Sequence, residues 1–158
     1  MRMFRGLIAA MGLLAGAGLA GPVAAEEFKL PEGKVAIHYY RPDGNYTTWG
    51  LHAWKSFQKK EEAGDEWAKK EFTDQPLAGV TWSTPMKPAG KDDFGIYWLL
   101  DAGDFENGRV NYIIHKADTK DQCNQDKFFL IQDSREAWVN SGDCKTYPSK
   151  AEALKARK

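Results

Sequence analysis

The chain has 158 residues, 42% of them hydrophobic and 13% aromatic, with 22 basic against 22 acidic side chains. That is enough apolar surface for one globular core and too little chain for two ordinary domains. A balanced charge argues against nucleic acid and against anionic membrane as partners, since both call for a basic surface.

The first residues stand apart from the rest. Arg2 and Arg5 precede an apolar run from Leu7 to Leu19, and Val23, Ala24 and Ala25 supply small residues ahead of Glu26. This is the layout of a secretory signal peptide over residues 1–25, and the apolar run falls short of the ~20 residues that span a bilayer. The mature chain would begin at Glu26, carry 20 basic against 22 acidic residues, and reside in the periplasm or the medium. In such an oxidising compartment Cys123 and Cys144 are expected to pair as a disulfide, two buried thiols being the alternative. Two cysteines and three scattered histidines show no metal-ligand spacing, and no phosphate loop or dinucleotide fingerprint is present, so neither a metal nor a cofactor is expected.

From Lys34 onward the sequence reads as short strands separated by turn residues. Lys34–Arg41 puts Val35, Ile37 and Tyr39 on one face and Ala36, His38 and Tyr40 on the other, before Pro42, Asp43 and Gly44 turn the chain. Trp49–Trp54 is the second strand. Lys55–Phe72 breaks the rhythm with interleaved lysines and glutamates and is expected to be a partly helical surface insertion with a solvated face. Phe94–Leu100, Val110–His115, Lys127–Ile131 and Glu136–Asn140 complete the strands. The expected fold is therefore all-β, an immunoglobulin-like β-sandwich of about six to eight short strands over residues 26–148. The basic tail 149–158, with Lys150, Lys155, Arg157 and Lys158, is expected to fray.

Catalytic signatures lack company. There is no GxSxG, and neither cysteine sits in a Cys/His signature. The aspartates at 92, 93, 101, 104, 118, 121 and 126 could in number serve a glycosidase, but their Gly, Asn and Lys neighbours are those of turns. The expectation is a protein that catalyses nothing.

The segment Trp49-Gly50-Leu51-His52-Ala53-Trp54 carries the most information. Strand alternation sends Trp49, Leu51 and Ala53 to one face, a core, and Gly50, His52 and Trp54 to the other. Gly50 is expected to leave open space beside two flat side chains, room for a pyranose ring to stack on its C–H surface while its hydroxyls stay hydrogen-bonded. On spacing alone, two aromatics at i and i+2 are more often ordinary cross-strand packing.

Longer stretches add to this. Val35–Gly50 (VAIHYYRPDGNYTTWG), Thr81–Pro88 (TWSTPMKP), Gly90–Tyr97 (GKDDFGIY), Val110–Asp126 (VNYIIHKADTKDQCNQD) and Glu136–Asp143 (EAWVNSGD) together resemble, in order, the pullulanase-associated carbohydrate-binding modules of family 41. The resemblance implies a non-catalytic sandwich that binds α-glucans of the amylose, amylopectin, glycogen or pullulan type. It places aromatic platforms at His52 and Trp54, and hydrogen-bonding loop residues at Lys116 and Asp121, with Lys120 competing for the lysine role and Trp82 the next aromatic candidate. A free-standing module would work beside a protein partner that carries the catalytic activity. The alternative is a secreted interaction or inhibitor protein that uses the same face for a protein.

Overall fold

The computed structural model describes residues 27–55 and 75–157, so the expected signal peptide and most of the Lys55–Phe72 insertion lie outside the described residues. The described chain is a β-sandwich. Its strands are β1 (Lys34–Tyr40), β2 (Gly50–Lys55), β3 (Gln75–Pro76), β4 (Gly90–Lys91), β5 (Ile96–Asp101), β6 (Arg109–Lys116), β7 (Thr119–Lys120), β8 (Lys127–Leu130) and β9 (Glu136–Asn140). The six longer strands coincide with the six read from alternation. The three two-residue strands are short edge pairings that sequence periodicity is too brief to reveal.

One sheet has the order β4-β5-β1-β9, with β1 antiparallel to β5 and parallel to β9. The other runs β3-β2-β6, and the far edge of β6 is shared between β7 and β8. Between the sheets, Val35, Ile37 and Tyr39 of β1 meet Leu51 and Ala53 of β2, Trp98 and Leu100 of β5, and Val110, Tyr112 and Ile114 of β6. The alternation expected of β1 and β2 thus holds on their inner faces. Trp49 packs on this core from its rim, with the Arg41 guanidinium 4.6 Å from its ring centroid.

The outer face of the first sheet is also covered. Phe94, Trp138 and Ala153 form a second apolar cluster, flanked by Tyr40 and Tyr147. Ala153 belongs to helix α1 (Lys150–Lys155), so the tail does not fray as its composition suggested. Ser149 caps the helix by accepting from the Glu152 amide, Asn140 Nδ2 donates to the Ala153 carbonyl at 2.8 Å, and Arg157 lies 3.6 Å from the Tyr40 ring centroid. A capped turn with a buried alanine and a Lys150 paired with Asp93 outweighs the charge of the tail.

Candidate functional site

The outer face of the second sheet is organised by register. On β6 the residues opposite the core are Asn111, Ile113 and His115, which pair with Trp54, His52 and Gly50 of β2. Across the far edge, Lys120 of β7 pairs with His115. His52, Trp54, His115 and Lys120 are therefore brought to one face by backbone pairing alone.

Trp82 joins them from a loop. Met86 exchanges backbone hydrogen bonds with Leu51 (2.8 and 3.1 Å), and the buried Trp98 indole donates to the Met86 carbonyl at 2.9 Å, which anchors the loop to the core. Thr81 and Thr84 bond each other's backbone and close the turn that presents Trp82. The space beside Gly50 is not open to a ligand as expected: a Cβ there would lie 2.6 Å from Pro85 Cγ. Glycine is needed so that this loop can lie against β2.

Held this way, the Trp82 indole stacks on the His115 imidazole, with ring centroids 3.9 Å apart and planes 9° from parallel. His52 meets Trp82 edge-on at 5.7 Å and lies 5.8 Å from Trp54 with the rings tilted by 41°. Polar groups surround the rings. Trp82 Nε1 donates to Asp118 Oδ1 at 3.0 Å, Lys120 Nζ lies 5.8 Å from the Trp82 centroid, and Lys120 donates to Asp126 Oδ1 at 2.8 Å. Trp82 and His52 are half-buried, whereas Trp54 is only 8% exposed. Trp82 is thus the more open of the two indoles, and Trp54 contributes packing as well as a flat surface.

Two nitrogens in the cluster, His52 Nδ1 and His115 Nε2, are buried and without a protein partner. His115 Nδ1 must donate to the Ala117 carbonyl, 2.8 Å away, which leaves Nε2 as an acceptor if the ring is neutral. Burial holds the His52 imidazole below its usual pKa of 6.5; the Thr81 backbone opposes this and the neighbouring His115 adds to it. His52 is accordingly neutral at neutral pH.

The remaining candidates lie elsewhere. Lys116 is exposed at the end of β6, where it pairs with Thr119. Asp121, whose amide donates to the Ile114 carbonyl, faces the core side of the sheet. Its carboxylate accepts from Tyr39 Oη, Ser141 Oγ, the Gly142 amide and the Gln122 amide. Burial would raise its pKa, but these donors together hold it below the usual 3.8. It ties the two sheets together beside a turn in which Gln122, Cys123 and Asn124 all have positive φ. Such a run is costly for non-glycine residues, and the Cys123–Cys144 disulfide, with Cα atoms 5.2 Å apart, fixes it to the segment after β9. Asp118 and Asp126, which sequence reasoning assigned to turns, are the acids beside the platform. His115 was likewise missed; its alternation with the core residues Val110, Tyr112 and Ile114 on the expected strand was the available signal.

Residues 33–148 match the family model of the bacterial pullanase-associated domain, PUD. The chain belongs to this family. A PUD domain is what the motif resemblance implied. An alpha-amylase from Streptomyces lividans is 33% identical over 89 residues, covering 56% of this chain but 7% of the amylase. In solved structures the PUD fold resembles a family 41 carbohydrate-binding module described for α-glucan recognition in streptococcal virulence factors, with a TM-score of 0.53 and 17% identity over 78% of this chain and 50% of that one. It also resembles Klebsiella pneumoniae pullulanase complexed with maltotriose, at a TM-score of 0.56 and 25% identity over 87% of this chain and 13% of the pullulanase. This PUD chain therefore spans only a small part of the enzymes it is similar to.

Proposed function

We propose that the outer face of the second sheet binds α-glucan chains, and that the protein holds them without cleaving them. The observation that carries this reading is the Trp82–His115 stack in ring contact with His52 and rimmed by Lys120, Asp118 and Asp126. A flat aromatic face buries the C–H surface of a sugar ring, while an ammonium and carboxylates at its edge exchange hydrogen bonds with the hydroxyls. Within the face, Trp82 is the main platform, His52 and Trp54 form its flank, and the Lys120–Asp126 pair supplies the polar contacts. Asp121 acts indirectly by holding the loop that carries Lys120. We further place the protein outside the cytoplasm, working beside an enzyme that acts on the same polymer.

Retention of the purified protein on insoluble starch, competed by maltotriose and not by cellobiose, is the expected result. Retention competed by neither sugar would favour a protein ligand for this face. Prolonged incubation with pullulan should release no reducing ends.

A further inference from the structure

We propose that the platform continues across the second sheet to a further stacking position formed by Phe128 and Arg109, so that the site gains affinity from glucan chains longer than the Trp82 cluster alone can hold. This rests on the α-glucan reading above. Among the described residues, Phe128, 47% exposed, and Leu154 are the large apolar side chains left in solvent. Alternation on β8 explains the direction of Phe128: Phe129 packs against the core, and its neighbour faces out. Pairing explains its position. Trp54 is opposite Asn111, and Asn111 is opposite Phe128, so the three form one row across β2, β6 and β8 on the outer face.

The row is bound together. Asn111 Nδ2 donates to the Trp54 carbonyl at 3.4 Å, and Asn111 Oδ1 accepts from Arg109 Nε at 2.8 Å. The Arg109 guanidinium in turn lies 3.6 Å from the Phe128 ring centroid. A guanidinium laid on an aromatic ring holds that ring in one orientation, which lowers the entropy lost when a ligand stacks on it. Trp54 and Phe128 are two interstrand spacings apart, ~10 Å, a span that one sugar ring cannot bridge and an extended chain can.

Titration calorimetry with maltotriose and maltoheptaose tests this. Wild-type protein should bind maltoheptaose more tightly. Phe128→Ala should weaken maltoheptaose by about five- to tenfold while leaving maltotriose within about twofold. Phe128→Leu, which keeps apolar bulk without a flat face, should behave like Phe128→Ala, and Phe128→Tyr like the wild type. Equal losses for the two sugars, or no loss for either, would overturn the extension and leave the α-glucan reading standing. Wild-type protein that binds neither sugar removes that reading and the extension with it.

Discussion

Each sheet carries, on its outer face, a histidine lying flat against a tryptophan. In the first sheet His38 stacks on Trp138 at 3.7 Å and 4°, and in the second His115 stacks on Trp82 at 3.9 Å and 9°. The surroundings differ. Both His38 nitrogens have acid partners, Asp92 at 2.7 Å and Glu136 at 3.1 Å, and Phe28, Phe94 and helix α1 close over the pair. Asp92 is itself held by the Phe94 and Gly95 amides. On the second sheet, His115 has one partnered nitrogen, His52 has a buried one without a partner, and the covering indole comes from a half-buried loop residue. A buried polar atom without a protein partner costs ~1–3 kcal/mol, and this face keeps two of them where the first sheet's His38 keeps none. The same ring geometry is a sealed support on one side and, on the other, part of the face proposed to bind glucan.

The largest expected effect lies on the sealed side. Trp138→Ala should cost ~3–5 kcal/mol of stability, read from urea unfolding, because it empties a packed cluster and bares a histidine held between two carboxylates. Its affinity for amylopectin, measured below the unfolding transition, should remain that of the wild type. A matching loss of affinity would mean that the two faces do not differ in kind.

Next in size is the covalent tie. Replacing both cysteines, Cys123→Ser with Cys144→Ser, opens a link across 21 residues of sequence and should cost ~3 kcal/mol. Unlike Trp138→Ala it should also weaken glucan binding, because the turn it holds connects Lys120 to Asp126. Unchanged affinity in affinity electrophoresis would show that the Asp121 bonds hold this loop unaided.

Trp82→Ala is expected to do the reverse of Trp138→Ala. Glucan affinity should fall by ~1–3 kcal/mol, by analogy with stacking of bases on aromatic side chains, about 5- to 150-fold. The unfolding midpoint should move little, since the ring is half-buried and the Met86 anchor stays. Trp54→Ala should move both quantities, because that ring is 8% exposed.

This contrast shows where the sequence was legible. Six strands could be read because their apolar alternation runs for four residues or more between turn residues, and the same rule placed His52 and Trp54 on the face away from the core. Helix α1 was also legible in Ser149 and Glu152, which stand in capping-box spacing, although the basic charge of the tail drew attention away from it. The rest depended on contacts distant in sequence. No local pattern indicates that Pro85 fills the space beside Gly50, that Trp82 folds back onto His115, or that Asp121 turns inward while Lys120 turns outward. Parallel pairing of β9 with β1 is equally silent, since either direction satisfies the alternation of Glu136–Asn140.

The smallest effect expected concerns pH and belongs to the sealed face alone. Burial opposes charge on His38, yet its bonds to Asp92 and Glu136 outweigh burial and raise its pKa above 6.5. A group whose pKa is raised by folding contributes stability that is complete below its unfolded value and is lost as pH rises through the folded one. Asp92 behaves oppositely: burial would raise its pKa, but His38 and the Gly95 and Phe94 amides bring it below 3.8, so its contribution fades as pH falls beneath that value. Asp121 adds to this lower limb through its own donors. Stability from these groups should therefore be greatest between about 3.8 and 6.5 and decline on either side. In His38→Gln the decline above 6.5 should disappear while the decline at low pH persists through Asp121, as urea midpoints measured across the range would show. A decline above 6.5 that survives in His38→Gln would assign it to groups outside the His38 cluster.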